Sequence, residues 1–224
     1  MSDTAAHEGD AMKGIICYHS GSGNTLLACE ALERRLTHAR VELCDITTKT
    51  VPTFTDYDFA GFATFTDFGG ISRLFEEWLA RIPTVDALPA FTLNTYGCMS
   101  IKTLSSLSAQ VRDRGFRVLM GHSLHTPENY PPMRKRGMAA DDAPNEKELA
   151  AFVAFARRLN EKLQRLANSE QPRAEPIRIG LLNRLIPSFG RTKAKKDMGE
   201  QYLDEQRCNE CGICAKGCPY EAIA

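Results

Sequence analysis

The chain has no excess of either charge, with 28 Lys and Arg against 28 Asp and Glu. That balance excludes a disordered polyelectrolyte and gives no chain-wide attraction to nucleic acid or to an anionic membrane. No run approaches the roughly 18 apolar residues that a membrane-crossing helix needs. The opening segment, MSDTAAHEGDAMKG, lacks the basic stretch followed by an apolar one that marks a secretory signal. The expectation is a soluble cytoplasmic protein. A disulfide framework is missing too. Of eight cysteines, Cys17, Cys29, Cys44 and Cys98 are scattered, whereas Cys208, Cys211, Cys214 and Cys218 crowd near the C-terminus. In a reducing compartment the first four read as small core or loop residues and the second four as metal ligands.

What is present is an alternation of short apolar runs and helical patterns. Strands are predicted at 14–19, 40–46, 59–65, 90–96 and 116–124. Between them lie helical stripes. One carries Ile71, Leu74, Phe75, Trp78, Leu79 and Ile82, and the next Ile101, Leu104, Leu107 and Val111. Asn145 is placed to cap a helix running to about Asn168, with Leu149, Phe152, Phe155, Leu159, Leu163 and Leu166 apolar. Strands that alternate with helices indicate a parallel sheet covered on both faces, hence an open doubly wound α/β domain at about 1–168. Residues 169–206 read as a basic linker with one short amphipathic helix at 179–187. That helix packs on a neighbouring domain or docks on a membrane surface or a partner.

The first strand-to-helix turn is Ser20, Gly21, Ser22, Gly23, Asn24 and Thr25. Glycine lets the backbone approach an oxyanion closely, and the following helix N-terminus adds unpaired N–H groups. No Lys sits in the loop, which argues against a nucleoside triphosphate. Hydroxyls and amides alone suit one monophosphate; the alternative is a plain turn.

Here the chain resembles the flavodoxins, whose strand order 2-1-3-4-5 places FMN at the sheet's switch point. The resemblance implies that two further loops flank the flavin ring, Thr66, Asp67, Phe68 and Gly69 after the third strand and Thr95, Tyr96, Gly97 and Cys98 after the fourth. Phe68 and Tyr96 are candidates to stack on the ring, with ordinary packing as the alternative. Trp78 lies too far along its helix to serve.

The tail contains C-x2-C-x2-C-x3-C-P, the bacterial ferredoxin iron–sulfur run, at Cys208, Cys211, Cys214 and Cys218. Structural zinc is the alternative, but zinc sites usually pair two C-x2-C units across a longer loop. Ile213, Tyr220 and Ile223 are expected to shield the metal. In two-cluster ferredoxins the fourth cysteine of such a run serves the other cluster, and only one run is present. The readings left open are a fragment of a longer protein, a single cluster closed by Cys218, or a partner chain that completes it.

Together the two motifs resemble the flavodoxin–ferredoxin fusion proteins of anaerobic bacteria and archaea. Pro127, Asn129 and Tyr130 in GHSLHTPENYPP (121–132) are similar to a segment of those fusions. The resemblance implies FMN, [4Fe–4S] clusters, and electron transfer with a redox protein as donor or acceptor. The alternatives are a flavin-dependent reductase of a quinone or nitro compound and a redox-sensing module. For a reductase, His122 and His125 are the nearest acid–base candidates. A nucleic-acid role is not supported, because the basic linker is short and lacks interleaved aromatics.

Overall fold

A computed structural model describes residues 11–48, 50–177, 191–200 and 202–223. Five parallel strands carry the domain: β1 (Met12–Tyr18), β2 (Ala39–Asp45), β3 (Phe59–Phe65), β4 (Pro89–Tyr96) and β5 (Arg117–His125). They lie in the order β2-β1-β3-β4-β5, the one that the resemblance to flavodoxins implies. The crossovers contain α1 (Asn24–Glu33), α2 (Arg73–Ala80) and α3 (Thr103–Asp113). Beyond the sheet come α4 (Pro131–Lys135), α5 (Glu146–Ala167), α6 (Arg191–Met198) and α7 (Ile213–Gly217). Among the described residues no helix is long and apolar enough to cross a membrane.

The strands read as continuous apolar runs because both faces of the sheet are covered. On one face Ile16, Phe59, Phe91 and Met120 pack under α1 and α5, meeting Leu32, Phe152, Phe155 and Leu159. On the other, Ile15, Phe62 and Val118 pack with Phe75 and Trp78 of α2 and Leu107 and Val111 of α3. Strand glycines make room for rings on the first face. Gly14 is in register with Phe59 and Gly61 with Phe91. A Cβ at either glycine would lie 2.1 or 2.3 Å from the partner's ring.

The capping expected of Asn145 is complete. Its side chain accepts from the Glu148 amide, and the Glu148 carboxylate accepts from the Asn145 amide, a reciprocal capping box. Three details differ from the sequence reading. Leu149 is exposed in the first turn of α5, beyond the reach of the sheet, and Cys44 is half-buried on β2 at the sheet's edge. Asn24 and Thr25 belong to the first turn of α1 rather than to the preceding loop.

Residues 172–177, inside the stretch read as linker, lie along β5. The Glu175 amide donates to the Leu119 carbonyl (2.7 Å), and Arg117 donates to the Pro172 carbonyl (3.1 Å). Arg158 and Lys162 of α5 sit 3.6 and 3.4 Å from the Glu175 carboxylate. The segment thereby covers an edge strand whose amides would otherwise face solvent. The amphipathic stretch expected at 179–187 falls outside the described residues.

Candidate functional site

At the C-terminal ends of β1, β3, β4 and β5 the loops enclose a cavity of about 390 Å³, within the roughly 300–1,000 Å³ of small-molecule sites. Twelve of the fourteen residues proposed from sequence as flavin contacts line it: Gly21, Ser22, Asn24, Thr25, Thr66, Asp67, Phe68, Gly69, Thr95, Tyr96, Gly97 and Cys98. Ser20 and Gly23 do not. The Ser20 hydroxyl instead accepts from the Gly23 and Leu26 amides at 3.1 and 3.2 Å, so it braces the start of α1. Gly23 adopts φ 95, a left-handed conformation that suits glycine.

The loop after β3 is a tight turn. Asp67 and Gly70 exchange backbone hydrogen bonds of 3.0 Å, and the two central residues, Phe68 and Gly69, have φ of 49 and 87. Such a turn favours glycine and asparagine, and a left-handed phenylalanine costs roughly 1–2 kcal/mol. Ile101, whose side chain comes within 3.0 Å of where a Gly69 Cβ would sit, also has positive φ, 44, which is rarer still for a β-branched residue. The two strained residues, Phe68 and Ile101, thus lie on one wall of the cavity. Phe68 meets Tyr130 edge to face, centroids 5.2 Å apart. Tyr96, the other candidate for ring stacking, already lies parallel to His125 at 5.2 Å.

The far wall is the segment after β5. Asn24 donates to the Pro127 carbonyl (3.0 Å), and Asn129 donates to the Ser22 hydroxyl. Both bonds tie this segment to the first loop and leave the Ser22 proton free to donate. Glu128 was not singled out from sequence, since a lone loop carboxylate has no pattern to reveal it. Its carboxylate accepts from the amides of Cys98 (3.0 Å), Asn129 (2.8 Å) and Tyr130 (2.9 Å), pinning two loops together. A Cβ at Gly97 would lie 2.4 Å from that carboxylate, which explains the glycine. Burial, and then Glu128, pushes the Cys98 thiol pKa up, so Cys98 is a protonated wall residue.

Neither histidine weighed as an acid–base group lines the cavity. His122 packs beside Phe152 and Phe155, centroids 5.8 and 5.1 Å away, and burial lowers its pKa to about 4. The His125 Nδ1 lies 2.9 Å from the Glu148 carboxylate. The titratable side chains on the cavity wall are Asp67, Tyr96, Cys98, Glu128 and Tyr130.

In the tail, Gly212 at φ 68 precedes the short α7. The Glu210 amide donates to the Cys208 sulfur and the Ala222 amide to the Cys218 sulfur, each at 3.4 Å. Amide donors from Ala222, Tyr220 and Glu221 lower the Cys218 pKa. Four thiols, two of them (Cys208 and Cys218) with amide donors, suit an iron–sulfur cluster, whose sulfurs are tuned by such bonds. Among the described residues no group of three or more His, Cys, Asp or Glu side chains is assembled to hold a metal. Ile213, Tyr220 and Ile223, expected to shield the metal, are exposed.

Residues 202–224 match the family described as 4Fe-4S binding domain. No curated protein matches the chain. Among solved structures, flavodoxin 2 from Bacillus cereus is similar over 67% of this chain and 99% of its own, with a TM-score of 0.52 and 16% identity. Flavodoxin 1 from Bacillus cereus gives 66%, 97%, 0.50 and 16%. A short-chain flavodoxin associated with a non-canonical PDU bacterial microcompartment gives 68%, 99%, 0.52 and 13%. At such identities the likeness is one of fold. The chain thus joins a flavodoxin-like α/β domain to a ferredoxin-type 4Fe-4S segment.

Proposed function

We propose that the chain is an electron-transfer protein that holds FMN in the cavity at the strand ends and a [4Fe–4S] cluster at Cys208, Cys211, Cys214 and Cys218, relaying electrons between them and to a redox-protein partner. The observation that carries the reading is the cavity itself. Four separate loops meet at the switch point of a doubly wound sheet, in a chain that also bears a cluster run. The units are the α/β domain at about 1–168, the stretch 169–206, and the cluster segment 207–224.

When bound, FMN supplies a carrier of one or two electrons and the cluster a carrier of one. The chain's own residues supply the rest. Gly21, Ser22 and the N-terminal turn of α1 offer amides and a hydroxyl to a single phosphate monoester, whose charge of about −1.5 to −2 at pH 7 is smaller than that of a triphosphate and suits a helix N-terminus. Phe68 and Tyr130, packed edge to face, give one apolar wall for a planar ring, and Tyr96, backed by His125, gives a second flat surface. The Asp67–Gly70 turn presents backbone groups at the ring's polar edge. Glu128 holds the Gly97–Cys98 loop against the 127–130 loop, so the cavity is preorganised.

The test is anaerobic purification followed by flavin and iron assays and titration with FMN and riboflavin. FMN should bind about 10- to 100-fold more tightly than riboflavin, the factor expected from charge-assisted hydrogen bonds to a phosphate. Equal binding of the two would remove the phosphate loop from the reading. A zinc-loaded, iron-free tail, or a preparation that takes up no flavin, would overturn the relay.

A further inference from the structure

His19, the residue after β1, is a buried titratable side chain that does not line the cavity. It is 2% exposed. Its Nδ1 lies 2.7 Å from the Ser72 hydroxyl, and that hydroxyl accepts from the Phe75 amide as the cap of α2. Its own amide donates to the Ala63 carbonyl at 2.9 Å. The backbone of His19 is therefore fixed to β3, and its imidazole is held at the cap of α2.

Two rings flank it. Phe65, which lines the cavity, has its centroid 5.0 Å away. On another side is Tyr220, 6.4 Å away and two residues beyond Cys218. Both separations are those at which aromatic pairs attract. Tyr220 is half-exposed and belongs to a segment with no buried side chain of its own among the described residues. Such a segment takes its position from whatever it touches.

We propose that Tyr220 docks the cysteine tail on the α/β domain at His19, so that Phe65, His19 and Tyr220 form a ring-to-ring route from the cavity wall to Cys218. The redox meaning of the route rests on the flavin-and-cluster reading above; the docking does not. Electron transfer through packed groups outruns transfer across solvent gaps. A contact at this point sets the distance between the two centres.

The experiment is hydrogen–deuterium exchange on the full anaerobically purified chain, comparing Tyr220→Ala, Tyr220→Phe and His19→Leu. Loss of the ring contact should raise amide exchange at residues 63–72 and 215–222 by about two- to tenfold, the factor an aromatic pair contributes. Tyr220→Phe, which keeps the ring, should exchange like the parent. Flash reduction of bound flavin should then show slower cluster reduction in Tyr220→Ala but not in Tyr220→Phe. Unchanged exchange at 63–72 in Tyr220→Ala would overturn the docking, and so would a Tyr220→Phe variant that behaves like alanine. Because Tyr220 is half-exposed, its variants do not threaten the core. A chain that takes up no flavin would sink the relay while the exchange data still read the docking.

Discussion

Phe155, Phe91 and Trp78 are sealed from solvent in the α/β domain, whereas no described side chain between Tyr202 and Ile223 is buried. Tyr202 is 90% exposed and Ile213 72%. The same chain therefore uses two sources of order. In the domain, two apolar layers and a parallel sheet specify the structure. In the tail, glycine turns and amide-to-sulfur bonds set a local path, and closure is left to whatever the four thiols bind. Small segments that cannot bury a core take their folding energy from metal in just this way.

The sharpest way to break this contrast is Cys211→Ser. Iron content and visible cluster absorption should be lost, while thermal unfolding of the α/β domain stays within error. A large shift in domain stability would mean that the two regions fold as one. Next in size, Phe155→Ala should cost the domain about 3–5 kcal/mol in urea unfolding, the usual penalty for emptying a buried aromatic site. Cluster content in the folded protein should not change.

A smaller effect concerns pH. Burial holds His122 down to about 4 and lowers His19 as well. Both are neutral in the fold and protonate earlier when unfolded. The contribution of His122 is complete above about pH 6.5 and is lost as pH falls toward about 4; His19 acts in the same direction. Domain stability measured by urea titration should decline across that window, and His122→Phe should flatten the decline. The smallest effect is Asn145→Ala, which removes the capping box of α5. It should cost about 1 kcal/mol, again in the domain alone.

Much of the α/β domain was legible because its signals are periodic. Continuous apolar strands, helical stripes such as Phe75–Trp78–Leu79, and the Asn145 cap each repeat or sit at a fixed offset. The cysteine run was legible for the same reason, since its spacing is itself the motif. Most proposed cavity residues could be placed because strand ends in this topology face one side. Glu128, His19 and the edge-covering Glu175 were not legible. Each works through a contact distant in sequence: Glu128 with Cys98, His19 with Tyr220, Glu175 with Leu119. No local pattern encodes such pairs. Ser20 shows the converse, a loop hydroxyl that the motif offers to a phosphate and the fold turns inward to brace α1.

Sequence alone determined the five strands, the alternation that makes the sheet parallel and the presence of a cluster run, because burial on two faces and ligand spacing both leave local periodic traces; the strand order and the switch-point loops came from the resemblance to flavodoxins. Tertiary structure decided which hydroxyls face the cavity, that Tyr96 is backed by His125, that a carboxylate pins the loops, and where the tail rests. These depend on side chains far apart in sequence arriving at one place, and only the folded chain brings them there.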